Sequence, residues 1–361
     1  MIKKILPTMI GVALAGGMTA AAADVSVFGH IDTSIDYVDP NSSSVDSDTN
    51  LNCTTCSIGF KGSEDLGNGL KAIFSLDFQY DTTERNTGKA SASSTSISVL
   101  TPTGTVTGSV VTRVSDTSSI TDRDQWLGLS GGFGKVRIGT ISTGYKSHGA
   151  MIDPLYRTSL QGRDRGLQSS FHSGAGEELQ GRATNTIRWD SPSYSGFNIV
   201  AHYTLDNNAN DGEDDNPYGI GASYENGGIL AFADYISNNG GSNNSAGDLS
   251  AWKIGGKYSM GDFAVMGQYE DASEDVSNTD LTQWTLGGSF TMGSNLLYAA
   301  YGNADTETSG ITVSDVDAWT IAGVHSMSKN TSVYLGYNKQ DDDVQYGIDR
   351  DQYSLGMKHK F

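Results

Sequence analysis

Leu70-Lys-Ala-Ile-Phe-Ser-Leu-Asp-Phe-Gln-Tyr80 alternates with a period of two. Leu70, Ala72, Phe74, Leu76, Phe78 and Tyr80 are all apolar, whereas the interleaved Lys71, Ile73, Ser75, Asp77 and Gln79 contain a single apolar member. Successive side chains of a strand point to opposite faces, so this segment offers one face to an apolar medium and the other to water. The pattern recurs in Phe197, Ile199, Ala201, Tyr203 and Leu205 against Asn198, Val200, His202 and Thr204, and in Val333, Leu335 and Tyr337 against Ser332, Tyr334 and Gly336.

Such segments predict sixteen strands, near residues 24–38, 56–63, 70–80, 122–130, 133–141, 183–191, 196–206, 217–225, 228–237, 250–259, 262–270, 281–291, 295–303, 316–327, 330–338 and 350–361. Tight connections such as Ser130-Gly-Gly and Glu225-Asn-Gly-Gly alternate with long polar ones at 39–55, 81–121 and 142–182. Short turns at one end and long loops at the other are the pattern of outer-membrane barrels, and an even count lets the first and last strands pair and abolish the sheet edge. The predicted fold is therefore an all-β, 16-stranded antiparallel transmembrane β-barrel, too wide for its own side chains to fill. The five tryptophans, Trp126, Trp189, Trp252, Trp284 and Trp319, all fall within predicted strands, where aromatic girdles at the membrane interfaces would place them.

Composition agrees. Hydrophobic residues make up 37% of the chain, too few for a large solid core, yet there are 17 Tyr, 11 Phe and 45 Gly. Lys3 and Lys4, the apolar run Ile5 to Met18 and Ala21-Ala22-Ala23 have the layout of a cleaved export signal, so residues 1–23 are expected to be removed and 24–361 to form the barrel. No segment approaches the roughly 20 apolar residues of a membrane-spanning helix. Loss of the signal leaves 21 Lys+Arg against 42 Asp+Glu, a charge of −21, which argues against a nucleic-acid partner. Cys53 and Cys56, so close together in an exported chain, are expected to form a disulfide that staples a small loop.

Four stretches resemble the general porins of Gram-negative bacteria, above all the neisserial and β-proteobacterial branch. They are Gly59-Phe-Lys-Gly-Ser-Glu-Asp-Leu-Gly-Asn-Gly-Leu-Lys-Ala-Ile-Phe-Ser-Leu-Asp77, Asp122-Arg-Asp-Gln-Trp-Leu-Gly-Leu-Ser-Gly-Gly-Phe-Gly-Lys-Val-Arg-Ile-Gly139, Asn185-Thr-Ile-Arg-Trp-Asp-Ser-Pro192 and Leu355-Gly-Met-Lys-His-Lys-Phe361. The resemblance implies an outer-membrane homotrimer, in contact with membrane lipid and lipopolysaccharide, through which ions and small hydrophilic solutes diffuse passively. It also implies a third loop folded inward, and a terminal Phe361 read by the barrel-assembly machinery.

In that family basic side chains on the wall face acids on the inward loop. The matching candidates are Lys61, Lys71, Arg182 and Arg188 on the wall, and Asp153, Asp164, Glu177 and Glu178 on the loop, beside Arg157, Arg163 and Arg165. Ser57 and Thr140 stand where the family often has arginine, which thins the basic row. With acids concentrated at 211–215, 270–275 and 341–343, in connections expected at the channel mouth, this predicts a weak cation preference.

His30, Asp32 and Asp36 share the expected inner row of the first strand and are read as pore lining, too sparse for a metal site. No cofactor motif is present, and no nucleophile elbow suggests an enzyme. A substrate-specific channel and an adhesin barrel are the rival readings.

Overall fold

The computed structural model describes residues 24–41, 46–83, 90–101, 104–115, 120–176, 179–205, 216–238, 248–344 and 349–361. The expected signal at 1–23, the carboxylates Glu177 and Glu178 and the acidic run at 211–215 lie outside the described residues.

In chain order the strands are β1 Asp24–Asp39, β2 Asp48–Cys53, β3 Ser57–Gly67, β4 Leu70–Tyr80, β5 Ala90–Thr101, β6 Gly104–Ser115, β7 Ile120–Gly131 and β8 Gly134–Ser142. Helix α1, Gly144–Met151, and two single 3₁₀ turns, Gly162–Asp164 and Ser170–His172, follow. The remaining strands are β9 Arg182–Asp190, β10 Phe197–Thr204, β11 Tyr218–Asn226, β12 Ile229–Asn238, β13 Leu249–Met260, β14 Phe263–Glu274, β15 Thr279–Met292, β16 Asn295–Thr308, β17 Ile311–Ser326, β18 Thr331–Asp342 and β19 Arg350–Lys360.

All but β2, β5 and β6 form one antiparallel ring of sixteen strands among the described residues. It closes where β1 pairs with β19 from His30↔Lys360 to Asp39↔Asp351. Closure matters because each backbone polar group left unpaired in hydrocarbon costs several kcal/mol. β2 continues the line of β3 along β1, and β5 and β6 form a separate hairpin within the second long connection. The short turn between β3 and β4 is Gly67-Asn68-Gly69, all three at positive φ (87°, 54° and 78°), a conformation glycine and asparagine adopt at least cost.

The two rows behave as the alternation demands. On β1 the inward His30, Asp32, Ser34 and Asp36 are buried, while Ile35 is 51% exposed on the outside. Exposed Leu127, Ile220, Ile254, Leu286, Ile321, Leu335 and Leu355 continue an apolar band around the ring, a surface suited to lipid rather than water. Near the long-loop end the outer face carries an aromatic belt. Tyr37, Tyr353, Tyr337 and Trp319 follow one another at centroid spacings of 6.1, 4.5 and 4.8 Å, and Trp284–Tyr301, Trp252–Tyr269 and Tyr218–Tyr235 extend it over the neighbouring strands.

Trp189 faces outward at the short-turn end, where its indole donates to Phe133 O at 2.9 Å. Trp126 departs from the girdle expectation. It pairs with the inward Ser75, so its ring faces the lumen, with the Arg137 guanidinium 5.1 Å above it.

Several strands run further toward the long-loop end than the alternation alone suggests. Glu270, Asp271 and Glu274, expected in a loop, belong to β14, and Asp341 and Asp342 to β18. Glu270 is in fact only 1% exposed, on the inner wall.

Candidate functional site

Beyond β8, residues 143–176 pack inside the ring against the far wall, and 179–181 lead into β9. Thr143 caps α1, its hydroxyl accepting the Lys146 amide at 3.2 Å. The segment is held inside because it carries its own apolar side chains: Ile152, Leu155, Leu160 and Leu167 pack on inward-facing Leu230, Phe232, Met266, Tyr298, Ala318 and Tyr334 of the wall. One side of the lumen is therefore a small hydrophobic core. Gly356 makes room for it, since a Cβ there would lie 2.2 Å from the Tyr334 ring.

Backbone carbonyls of the segment, which a dry core would leave unpaired, are met by wall donors. Gln283 donates to Gly166 O at 3.0 Å, Asn338 to Arg165 O at 3.2 Å and Lys358 to Tyr156 O at 2.9 Å. A buried polar knot pins the other end. The Tyr145 hydroxyl donates to Glu270 at 2.9 Å, the Ser169 amide donates to Glu270 at 3.3 Å and His148 lies 2.8 Å from Asp234. The Lys253 ammonium reaches Tyr145 O and sits 2.8 Å from His172 Nε2 and 3.8 Å from Asp234.

A cavity remains between this segment and the wall at β7 to β11, lined by Arg137, Arg188, Asp190 and Ser223 with His148 and Met151 of the segment, and it marks the passage. Along the passage the wall carries Arg123 paired with Asp77 at 3.1 Å, Arg182 paired with Asp124 at 3.1 Å, and Arg188 on Asp190 at 2.7 Å, a carboxylate it shares with Arg137. The loop turns bases toward them. Lys146 is within electrostatic reach of Arg182, Arg163 and Arg123, and Arg157 is within reach of Arg123. Burial, with these like charges adding, lowers the Lys146 pKa to about 6.

The carboxylates anticipated on the loop do other work. Asp153 is inside the segment, accepting the amides of Leu155 at 2.9 Å and Gly162 at 2.8 Å, and burial raises its pKa to about 6. Asp164 accepts from Gln161 beside it. Of the four wall bases anticipated, Arg182 and Arg188 line the passage and are buried, as their parity required. Lys61 and Lys71 are on inward rows but lower: Ser57 is level with His30, and Lys61 lies four residues, roughly 13 Å, nearer the short turns. Lys71, opposite Asp65, is lower still.

Arg123 is the wall base that alternation hides. It shares parity with the outward Leu127, but β4 and β7 shift register between Leu76 and Phe78, so Asp77 faces two residues and Arg123 turns inward, 3% exposed. Such bulges re-aim a side chain without any compositional mark. Lys146, Lys253 and Glu270 were likewise absent from the expected set. The continuous apolar run Leu296-Leu297-Tyr298-Ala299-Ala300-Tyr301, apolar on both faces of β16, is the sequence signal that part of the inner wall is covered.

Comparison with known proteins agrees with the architecture. The family described as Gram-negative porin matches residues 8–345. The major outer membrane protein P.IB of Neisseria gonorrhoeae is 28% identical over 236 residues, 62% of this chain and 55% of that protein. Its namesake from Neisseria meningitidis serogroup A is 29% identical over 230 residues, 62% of this chain and 56% of the relative. The chain thus spans about half the length of the curated relatives it matches. Among solved structures, the anion-selective porin from Comamonas acidovorans superimposes with a TM-score of 0.72 at 22% identity, covering 94% of this chain and 100% of that one. OmpF of Salmonella typhi, in complex with daunomycin, gives 0.68 at 14% identity, over 94% and 98% of the two chains. At these identities the structural likeness establishes the fold.

Proposed function

The chain belongs to the Gram-negative porin family, and we propose that its barrel is an outer-membrane channel for passive diffusion of ions and small hydrophilic solutes, narrowed by residues 143–181 and selective for anions at that narrowing. The observation that carries this reading is the charge of the passage: Arg157 on the loop lies within electrostatic reach of Arg123 on the wall, which is itself near Arg182, and Lys146, near Arg163, Arg182 and Arg123, adds its charge below about pH 6, while Asp77 and Asp124 are each engaged by one wall arginine. A passing ion meets its largest electrostatic free energy where it comes closest to fixed charge, because Coulomb energy falls with distance and salt screens what is remote. In this proposal the weak cation preference expected from the thinned basic row and the acidic connections gives way, because Arg123 adds a wall base that the expected row lacked.

A homotrimer in lipid and lipopolysaccharide is part of the proposal, as is recognition of Phe361 during assembly, and the barrel acts as a channel rather than an enzyme. Support for Phe361 comes from its place on the closing strand: it exchanges backbone hydrogen bonds with Gly29 at 3.0 and 3.1 Å, and Tyr353, Leu355 and Met357 share its outward face. The test is insertion of the purified protein into a planar bilayer under a salt gradient. We expect ohmic channels of nanosiemens order whose reversal potential has the sign of anion preference. Folded protein that does not conduct would sink the channel reading, and a steady cation preference would sink the assignment of the constriction.

A further inference from the structure

The cysteine pair is bonded, with Cα atoms 5.7 Å apart, but it does not staple a loop. It lies in the barrel wall. β1 pairs with β2 at Thr33↔Cys53 and with β3 at His30↔Ser57, so three steps along β1 face four along its partner. The extra residue makes Cys53-Thr54-Thr55-Cys56 a β-bulge closed by the disulfide. The Thr54 amide donates to Asp32 O at 3.1 Å, the Asp32 amide to Cys56 Sγ at 3.3 Å and the Tyr80 amide to Cys56 O at 3.1 Å. Cys56 is wholly buried. Thr55 is left with φ of 53°, a conformation that a β-branched residue adopts only where its surroundings impose it.

The bulge points at the constriction. Thr55 Oγ1 lies 3.1 Å from His30 Nε2, and His30 Nδ1 lies 3.1 Å from an Arg157 terminal nitrogen and 3.3 Å from Ser57 Oγ. A guanidinium can only donate, so Nδ1 is the accepting nitrogen and Nε2 carries the proton that Thr55 accepts. Arg157 needs such a hold. It stands within reach of the like charge of Arg123, its own backbone is at φ 62°, and its Nε is buried with no hydrogen-bond partner.

We infer that the disulfide-closed bulge is a positioning element of the channel: by fixing Thr55 it fixes His30, and through His30 it holds the Arg157 guanidinium in the passage. The ring it closes is too short to remove much entropy from the unfolded chain, so its effect is on geometry rather than on stability. This rests on the proposed channel reading.

The test measures the anion-to-cation permeability ratio of refolded wild type, C53A/C56A, T55V, R157Q and C53A/C56A/R157Q, with folding checked by heat-modified electrophoretic mobility. C53A/C56A is expected to lower the ratio about eightfold, because when one unit charge recedes from roughly 4 to roughly 10 Å from a passing ion in water the Boltzmann weight of an anion falls about threefold and that of a cation rises about threefold. T55V, which keeps the disulfide and serves even if the cysteine variant fails to fold, should shift the ratio the same way by less. R157Q should match or exceed C53A/C56A, and the triple variant should fall no lower than R157Q. A wild-type ratio in C53A/C56A or T55V channels that conduct normally, or effects that multiply in the triple variant, would overturn the inference while leaving the channel reading intact. Non-conducting oxidised wild type would overturn both.

Discussion

Lys253 and His172, both essentially inaccessible to solvent, meet at 2.8 Å between Nζ and Nε2. The ammonium can only donate, so His172 accepts at Nε2 and keeps its proton on Nδ1, which faces Ser169 O at 3.2 Å. Burial first, and Lys253 second, hold the imidazole well below its ordinary pKa, so it stays neutral. One strand residue and one loop residue thus lock the lumen segment to the wall.

Removing the ammonium with Lys253→Met leaves Asp234 and Glu270 buried without their cation. Breaking a buried pair from one side costs about 3–5 kcal/mol. The loop is the part free to respond, so single-channel records should show larger and noisier currents. Quiet channels of wild-type conductance would show that the knot does not hold the loop.

Acidification should strengthen anion preference through Lys146. With a pKa of about 6 it is neutral at pH 7.5 and charged at pH 5, beside Arg182, Arg163, Arg123 and Asp124. Reversal potentials measured between these pH values should move toward the anion, and Lys146→Met should flatten the profile. An unchanged slope in that variant would assign the titration elsewhere.

Asp153 offers a stability readout in the same window. Its folded pKa, about 6, lies above the ordinary 3.8, so the folded state takes up this proton first and the group's contribution to stability grows as pH falls from about 6 to about 4. Asp153→Ala should abolish that increment and also cost about 1–3 kcal/mol for each of the Leu155 and Gly162 amides left without an acceptor. Denaturant unfolding in detergent at pH 4 and 7 checks both. Equal pH dependence in the two proteins would exclude the assignment.

Salt should separate mouth from constriction. At about 0.01 M the Debye length is near 30 Å and the acids toward the long-loop end, Asp271, Glu274 and Asp341 among them, act on the whole passage. At about 0.15 M it is near 8 Å, and only charges close to the ion's path remain effective. Anion preference is therefore expected to increase between these two conditions. A preference that falls over this range would place the deciding charges at the mouth.

The alternation of Leu70 to Tyr80 and its fifteen counterparts was enough to identify the sixteen strands of the ring and, bulges apart, their two faces, because a period of two is a local property that each segment carries in full. It placed Arg182, Arg188, His30, Asp32 and Asp36 on the inner wall. It also carried Trp126 inward, on the row of Gly128 and Ser130 opposite Leu127 and Leu129, which treating every tryptophan as girdle overlooked.

Where the lumen segment lies, and which charges it meets, came only from the tertiary structure. A single extra residue reverses every facing beyond it, and nothing in composition marks the shift at Asp77 that turns Arg123 inward or the bulge that moves Cys53 and Cys56 from loop to wall. The seat of residues 143–181 is assembled from β12, β14, β16, β17 and β18, each supplying a few inward apolar groups that become one surface only when the ring closes. That surface selects which side of the loop is buried. The side turned away from it carries Arg157 and Arg163, with Lys146 buried near Arg182 and Arg123 of the wall, so the charge of the passage is a consequence of packing across the barrel rather than of any stretch of chain read alone.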